Sequence, residues 1–132
     1  MRLLQRGTTR TLGRMNDRAA QELARAYLAG MRGLPEPQDA YADVLEACND
    51  FEKGLEVTLA LIAEARTEGE LAYVAAGPLE DMLKLHGARA IPALEAAAES
   101  SENVRKALSG VYLSEHHEAF SEWRRLVSKY AA

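Results

Sequence analysis

The hydrophobic positions of this chain recur every three or four residues, in successive segments separated by glycine, proline or capping residues. Such spacing gathers apolar side chains on one face of an α-helix. No segment alternates convincingly with the period of two that a half-buried strand requires. We therefore predict an all-α fold, a compact bundle of about six to seven short helices or a short stack of helical repeats.

The same spacing predicts which residues face the core. The inward faces, in chain order, are Ala20, Leu23, Ala24, Tyr27, Leu28 and Met31; Tyr41, Val44, Leu45, Cys48 and Phe51; Leu55, Leu59, Ile62 and Ala63; Leu71, Val74, Ala75, Leu79, Met82, Leu83 and His86; Ile91, Leu94 and Ala98; Val104, Leu108 and Val111; and Phe120, Trp123, Val127 and Tyr130. Val57 and Leu61 widen the apolar surface of the third helix, which we expect to be the most buried.

Capping residues and glycines set the predicted ends of these helices. Side-chain oxygens of Ser, Asp and Asn accept the free N–H groups of a first turn, and glycine is common just after a last turn. The predicted caps are Asn16 or Asp17, Asp39, Ser101 and Ser114, and the predicted stops are Gly33, Gly54 and Gly87. The third helix is accordingly expected over about residues 55–68.

The fourth segment contains a proline. Its apolar stripe keeps its phase across Gly77 and Pro78, although proline removes a helical hydrogen bond and clashes with the carbonyl of Val74. Two forms remain open, one kinked helix or two short helices of which Pro78 opens the second.

Charge divides the chain into two parts. Residues 1–18 carry a net charge of +4 and residues 19–132 carry −8. The basic part has an arginine at every fourth position, but it is rich in glycine and threonine, which are poor helix formers. We interpret residues 1–15 as a basic tail, either flexible or marginally helical, and residues 16–132 as a single helical domain. An organellar transit peptide is an alternative for this arginine-rich start.

Composition excludes several classes of protein. An acidic body argues against nucleic acid as a partner, because phosphate binding requires clustered cations. No apolar run approaches the ~20 residues of a membrane-spanning helix, and no secretory signal is visible. The lone Cys48 permits no intrachain disulfide and is typical of a small core residue, which fits a cytoplasmic protein.

The second predicted helix carries a row of acids, Asp39, Asp43, Glu46 and Asp50. At about 100° per residue they fall within about 60° of arc, opposite the apolar face. Like charges three or four residues apart repel each other, and no lysine is interleaved. Two interpretations stay open, a solvated face of an acidic protein, or the binding site for a basic partner that neutralises it.

Other candidate chemistry is weak. His116 and His117 are adjacent and point about 100° apart on a helix, and no paired histidines or cysteines have metal-ligand spacing, so we expect no metal or other cofactor. His86 is expected to meet the last carbonyls of its own helix. No catalytic motif is recognisable, and we expect no enzyme. Trp123 and Tyr130, near basic residues of the last helix, fit the core better than a nucleic-acid patch.

One stretch carries a family resemblance. The sequence from Leu71 to Gly87 contains Ala-Gly-Pro-Leu-Glu-Asp at residues 76–81 and ends in His-Gly. It resembles a bacterial, all-helical domain-of-unknown-function family over about residues 17–113. Residues 107–112 resemble the closing Leu-x-Gly-Val-Trp element of that family, with Tyr112 in place of tryptophan. The resemblance implies a small cytoplasmic bacterial protein and no catalytic residues.

Two hypotheses of function follow. The first is a non-enzymatic protein-binding module of the immunity-protein or antitoxin type, or a charge-mimicking inhibitor, that binds a basic protein through Asp39, Asp43, Glu46 and Asp50. The second is a structural or scaffold domain that forms homo-oligomers through an exposed apolar patch near Trp123 and Tyr130.

Overall fold

Seven α-helices account for most of the residues that the computed structural model describes, 17–34 and 39–130. They are α1 Asp17–Met31, α2 Ala40–Ala47, α3 Phe51–Glu64, α4 Glu68–Val74, α5 Glu80–Ser100, α6 Glu102–Ser109 and α7 Phe120–Tyr130. The described residues contain no strand, which confirms the all-α prediction. The predicted basic tail at residues 1–15 and the alternative cap Asn16 lie outside the described residues.

Helix α3 lies at the centre of the bundle. It packs against α1, α2, α4, α5 and α6, while α7 covers α5 and α6. Its inner face consists of Val57, Thr58, Leu61 and Ile62, which are almost completely buried. The predicted inward residues Leu55 and Leu59 are half-buried, and Ala63 is exposed.

The boundary between α2 and α3 differs from the prediction. Asp50, which was expected within α2, has an extended backbone, and its carboxylate accepts the N–H of Lys53 at 2.8 Å. An aspartate in this position satisfies the free N–H groups of a new first turn and so begins a helix. Gly54 therefore lies inside α3 rather than at the end of α2, and it is buried.

Of the other predicted caps, Asp39 takes the N-cap position of α2 without the expected side-chain hydrogen bond, and Ser114 does not begin a helix. Asp39 precedes α2 with φ of 77°, and its side chain makes no capping hydrogen bond. The Ser114 hydroxyl accepts the N–H of His116 within a loop, and α7 begins six residues later, at Phe120. The prediction for Ser101 is confirmed, since its hydroxyl accepts the N–H of Val104 at 3.1 Å at the start of α6.

The Gly-Pro stretch forms a π-helical turn, Ala75–Leu79, between α4 and α5. The chain thus remains helical across Pro78, which is nearer to one continuous helix than to two. Proline lacks the N–H of an α-helical hydrogen bond, and its ring clashes with the carbonyl four residues earlier. A wider turn with i→i+5 hydrogen bonds accommodates the proline without ending the helix. Gly87 then interrupts α5, as predicted, with φ of 42° and ψ of −117°.

A bidentate ion pair ties the end of α1 to the start of α4. The Arg32 guanidinium donates to both oxygens of the Glu70 carboxylate, at 2.7 and 2.9 Å. One of these oxygens also accepts the N–H of Arg66 at 2.7 Å. Together these donors, the arginine first, lower the pKa of Glu70 to about 2.

Candidate functional site

An open groove runs between the first half of α1 and helix α2. It has a volume of about 830 Å³ and ends at the first turn of α3. Its lining residues are Ala19, Glu22, Leu23, Ala26, Ala40, Asp43, Glu46, Ala47, Asn49, Asp50 and Lys53. Four alanines and Leu23, all buried or half-buried, form the apolar floor of the groove.

Three of the four predicted acidic residues meet at this groove. Asp43 and Glu46 project from α2, and Asp50 lies at the cap of α3. Asp39 does not line the groove and stands exposed before α2. The acids therefore do not form one row on one helix, because the chain leaves α2 after Ala47.

The wall contributed by α1 was not anticipated from sequence. Glu22 adds a fourth carboxylate to the rim, and Leu23 adds apolar surface to the floor. Helical periodicity indicated that Leu23 faces inward, but periodicity within one helix does not reveal which other helix lies opposite. Only the packing of α1 on α2 brings these residues to the acids.

The rim of the groove is strongly negative. Glu22 pairs with Arg18, whose Nε lies 3.6 Å from the carboxylate, and both side chains are well exposed. Among residues 17–34 and 39–130, no basic side chain forms an ion pair with Asp43 or Glu46. Lys53 is a basic residue of the lining and offsets part of the charge. A cationic group that entered the groove would find unpaired carboxylates beside an apolar floor.

A second surface is aromatic. The Tyr27 ring stacks on Tyr41 at 6.0 Å between centroids and lies 5.7 Å from Tyr73. Burial and a hydrogen bond with Tyr73 raise the pKa of Tyr27. Tyr41, Tyr73 and the neighbouring α2 residue Leu45 are exposed, although the sequence predicted Tyr41 and Leu45 in the core. Helix α2 has only eight residues and buries Ala40, Val44 and Ala47 instead.

Hydrogen bonds connect the Ala-Gly-Pro-Leu-Glu-Asp segment and the residues after it to other parts of the bundle. The Glu80 carboxylate accepts the backbone N–H of Tyr112 at 3.0 Å and the ammonium of Lys84 at 2.9 Å. Nε2 of His86 lies 2.8 Å from the carbonyl of Cys48. This histidine thus joins α5 to the end of α2, and not to its own last turn as predicted. These contacts give the segment a role in joining helices.

The remaining candidate residues belong to the core or its edge. Cys48 is buried, and burial raises the pKa of its thiol to about 11, so that little nucleophilic thiolate exists at neutral pH. The indole N–H of Trp123 donates to the Leu108 carbonyl at 3.0 Å, which confirms the core interpretation of this residue. Neither Trp123 nor Tyr130, where an exposed apolar patch was expected, belongs to the exposed large hydrophobic residues, whereas Tyr41 and Tyr73 do.

Two further findings concern only the part of the chain that the structure describes. It holds no group of three or more His, Cys, Asp or Glu side chains arranged to bind a metal ion. None of its helices combines the length and the apolar character that crossing a membrane demands.

Comparison with known proteins identifies a family but no function. No curated protein and no solved structure has significant similarity to the chain. The profile of a family of unknown function, DUF6869, matches residues 38–131. This range covers α2 to α7 and one wall of the groove, and it leaves out α1, whereas the resemblance by motif extended over about residues 17–113. The match spans well over half of the chain, which therefore belongs to the DUF6869 family of unknown function.

Proposed function

We propose that this protein is a non-enzymatic binding module that captures a basic protein in the groove between α1 and α2. The observation that supports the proposal is the pair Asp43 and Glu46, which stand exposed at the rim without a cationic partner among the described residues. Basic groups on a partner would neutralise them, and the alanine-rich floor would receive the apolar stems of lysine or arginine.

The proposal extends to the type of protein. A small acidic helical domain that binds a basic protein fits a bacterial, cytoplasmic immunity protein or antitoxin, or an inhibitor that mimics the charge of nucleic acid. The net charge of −8 over residues 19–132 would accelerate encounter with a cationic target and repel nucleic acid. The buried Cys48 thiol and the structural contacts of the Glu80 segment favour binding over catalysis.

The test is an affinity capture from the native host with two matched variants. One variant reverses the charge at Asp43 and Glu46, to lysine, and spares Asp50 because its side chain caps α3. The control reverses Glu99 and Glu115, which are exposed and lie outside the groove, so the change in net charge is the same. A basic protein that is recovered by the wild type and the control, but lost by the groove variant, would support the proposal. Equal recovery by all three would remove the groove from it.

A self-associating scaffold is the second candidate. The exposed Tyr41, Leu45 and Tyr73 favour it, because tyrosine is enriched at the centres of protein interfaces. Sedimentation velocity over a wide concentration range distinguishes the two. A dimer that dissociates on Tyr73→Ser would favour the scaffold, and a monomer at all concentrations would exclude it.

A further inference from the structure

The side chain of His117 fixes the backbone that leads into α7. Nδ1 of its ring accepts the N–H of Ala119 at 3.0 Å. The carbonyl of Ala119 in turn accepts the N–H of Trp123 at 2.9 Å, which makes Ala119 the residue from which the helix starts. Alanine has no side-chain oxygen with which to cap a helix. The histidine therefore orders the residue at which α7 begins.

The same ring connects the start of α7 to the kink of α5. Its Nε2 lies 3.2 Å from the carbonyl of Lys84. In an uninterrupted α-helix that carbonyl accepts the N–H of Ala88, but the non-helical backbone of Gly87 lies between the two residues. The loop comes so close to the kink that a Cβ atom at Gly87 would lie 3.2 Å from Oε2 of Glu118 and 3.7 Å from Cε1 of His117. One imidazole thus joins the interruption of α5 to the beginning of α7.

These two contacts require the neutral imidazole. A carbonyl only accepts hydrogen bonds, so Nε2 carries the proton and Nδ1 is left free to accept the N–H of Ala119. A protonated ring has two donors and no acceptor, in either of its flipped orientations. Histidine is the side chain whose charge ordinarily changes between pH 5 and pH 8. Acidification through this range therefore breaks the contact with Ala119.

The charged and titratable groups around the ring belong to its own loop, to α5 and to α7. They are Glu115, His116 and Glu118 in the loop, Lys84 and His86 on α5, and Glu122 in the first turn of α7. The ammonium of Lys84 is paired with Glu80, and His86 is bonded to the carbonyl of Cys48. The carboxylates attract a protonated ring, and the positive end of the α7 dipole repels it. These charges influence the pH at which the contact breaks, but none of them gives the protonated ring an acceptor for the N–H of Ala119.

We propose that His117 is a pH-sensitive switch that controls the attachment of α7. At pH 8 the neutral ring holds the beginning of the helix against α5. At pH 5 the protonated ring releases Ala119, and the first turn of α7 opens more often. The loss of one hydrogen bond changes an opening equilibrium by about two- to tenfold. The switch is independent of the proposed capture of a partner, because the groove involves neither α5 nor α7.

The protonation of the ring nitrogens tests the first part of the proposal. Long-range ¹H–¹⁵N correlation spectra of the full-length protein distinguish a protonated ring nitrogen from an unprotonated one. The ring signals of His117 are assigned by through-bond correlation with its own backbone. We expect a protonated Nε2 and an unprotonated Nδ1 at pH 8. A ring that carries its proton on Nδ1 at this pH would overturn the proposal.

Amide hydrogen exchange tests the effect on α7 with a matched variant. Asparagine accepts the N–H two residues later through its side chain and does not titrate, so His117→Asn keeps the contact with Ala119 at every pH. The two proteins are measured side by side, so the effect of pH on the exchange chemistry itself cancels in the ratio of their rates. We expect the ratio of wild-type to variant exchange at the amide of Trp123 to be about two- to tenfold higher at pH 5 than at pH 8.

The exposed His116 provides the control. His116→Asn should retain the pH dependence of the wild type at the amide of Trp123, and the ratio at the amides of α3 should stay constant for both variants. The proposal is overturned if the ratio for His117→Asn does not change with pH, or if it changes equally in α3 and α7, because the opening is then global. It is also overturned if His116→Asn abolishes the pH dependence. A failure in any of these measurements leaves the capture of a basic partner, which is measured separately, unaffected.

Discussion

Glu70 is the residue on which the end of α1, the loop before α4 and the first turn of α4 converge. Its side chain is nearly buried, yet it stays ionised because it accepts two hydrogen bonds from Arg32 and one from the Arg66 backbone. Charge-assisted bidentate pairs of this kind are shorter and stronger than neutral hydrogen bonds. The pair fixes the position of α4, and through α4 that of the π turn.

Stability should therefore depend on the ionisation of Glu70. Its pKa of about 2 lies below the ordinary 4.5, so the stabilisation is complete above pH 4.5 and is lost as pH falls from 4.5 through about 2. We expect Glu70→Gln to lower the free energy of unfolding at pH 7, and the difference from the wild type to shrink between pH 5 and pH 2. Urea unfolding at several pH values measures this. The exposed Glu68→Gln serves as control, and a pH-independent difference for Glu70→Gln would contradict the prediction.

At the scale of the helix, the junction of α2 and α3 depends on Gly54. A Cβ atom there would lie 2.6 Å from Sδ of Met82 and 2.8 Å from Cα of Cys48. The glycine thus permits the close approach of α3 to the end of α2, which in turn places Asp50 at the groove. A methyl group at this position has to displace backbone, not only a flexible side chain.

Two glycine substitutions should have opposite effects on stability. Gly54→Ala is expected to lower the free energy of unfolding by about 1–3 kcal/mol, since it overpacks the core. Gly69→Ala in α4 is expected to raise it by about 0.5–1 kcal/mol, because alanine is the better helix former. At Gly69 the nearest atom to the new Cβ is 3.8 Å away, in the Thr67 side chain. Thermal and urea unfolding of both variants give the comparison, and a loss at Gly69 or a gain at Gly54 would refute it.

Glycine has two roles in this fold, as an interruption of a helix and as a point of close contact between helices. The difference between them explains which features the sequence predicted correctly and which it did not. Periodicity identified the helices, and Gly87 was correctly expected to interrupt one, because its conformation is a local property. Gly54 was taken for a stop, since a stop and a close contact leave the same residue in the sequence. The π turn was likewise not foreseen, because Pro78 alone does not specify which wider turn accommodates it.

The sequence indicated only one side of the groove, for a related reason. The spacing of Asp39, Asp43, Glu46 and Asp50 indicated a candidate binding surface. The last three of these residues line one groove. Glu22 and Leu23 were not associated with them, because the distance between two helices is a property of their packing. Asp39 was included by its spacing, but a left-handed backbone before the helix sets it apart.

At the scale of the whole molecule, two negative charges of the groove lie at positions where they lower the stability of the fold. Glu46 lies one residue before the end of α2, where the helix dipole is negative, and it follows Asp43 by three residues. Both interactions are repulsive. A surface that gives up stability in this way is commonly one that serves binding.

Glu46→Lys should accordingly stabilise the isolated protein while it weakens partner capture. Three changes raise the stability of the lysine variant. The ammonium interacts favourably with the negative end of the helix dipole, the repulsion between Glu46 and Asp43 is removed, and the lysine forms a new ion pair with Asp43. We expect the free energy of unfolding to rise by about 0.5–1 kcal/mol at low ionic strength and the gain to decrease in 1 M salt. Urea unfolding at both salt concentrations measures this change in the free energy of unfolding. Glu46→Gln, which removes the negative charge without adding a positive one, should have an intermediate stability. A less stable lysine variant would show instead that Glu46 supports the fold.

The buried indole of Trp123 has a spectroscopic consequence. It is the single tryptophan of the chain and is hydrogen-bonded to α6 from within α7. Intrinsic fluorescence therefore reports one event, the separation of α7 from α6, whereas circular dichroism at 222 nm averages over all helices. If the two signals change together on denaturation, the bundle unfolds as one cooperative unit. If fluorescence changes first, the last helix detaches while the remaining helices persist.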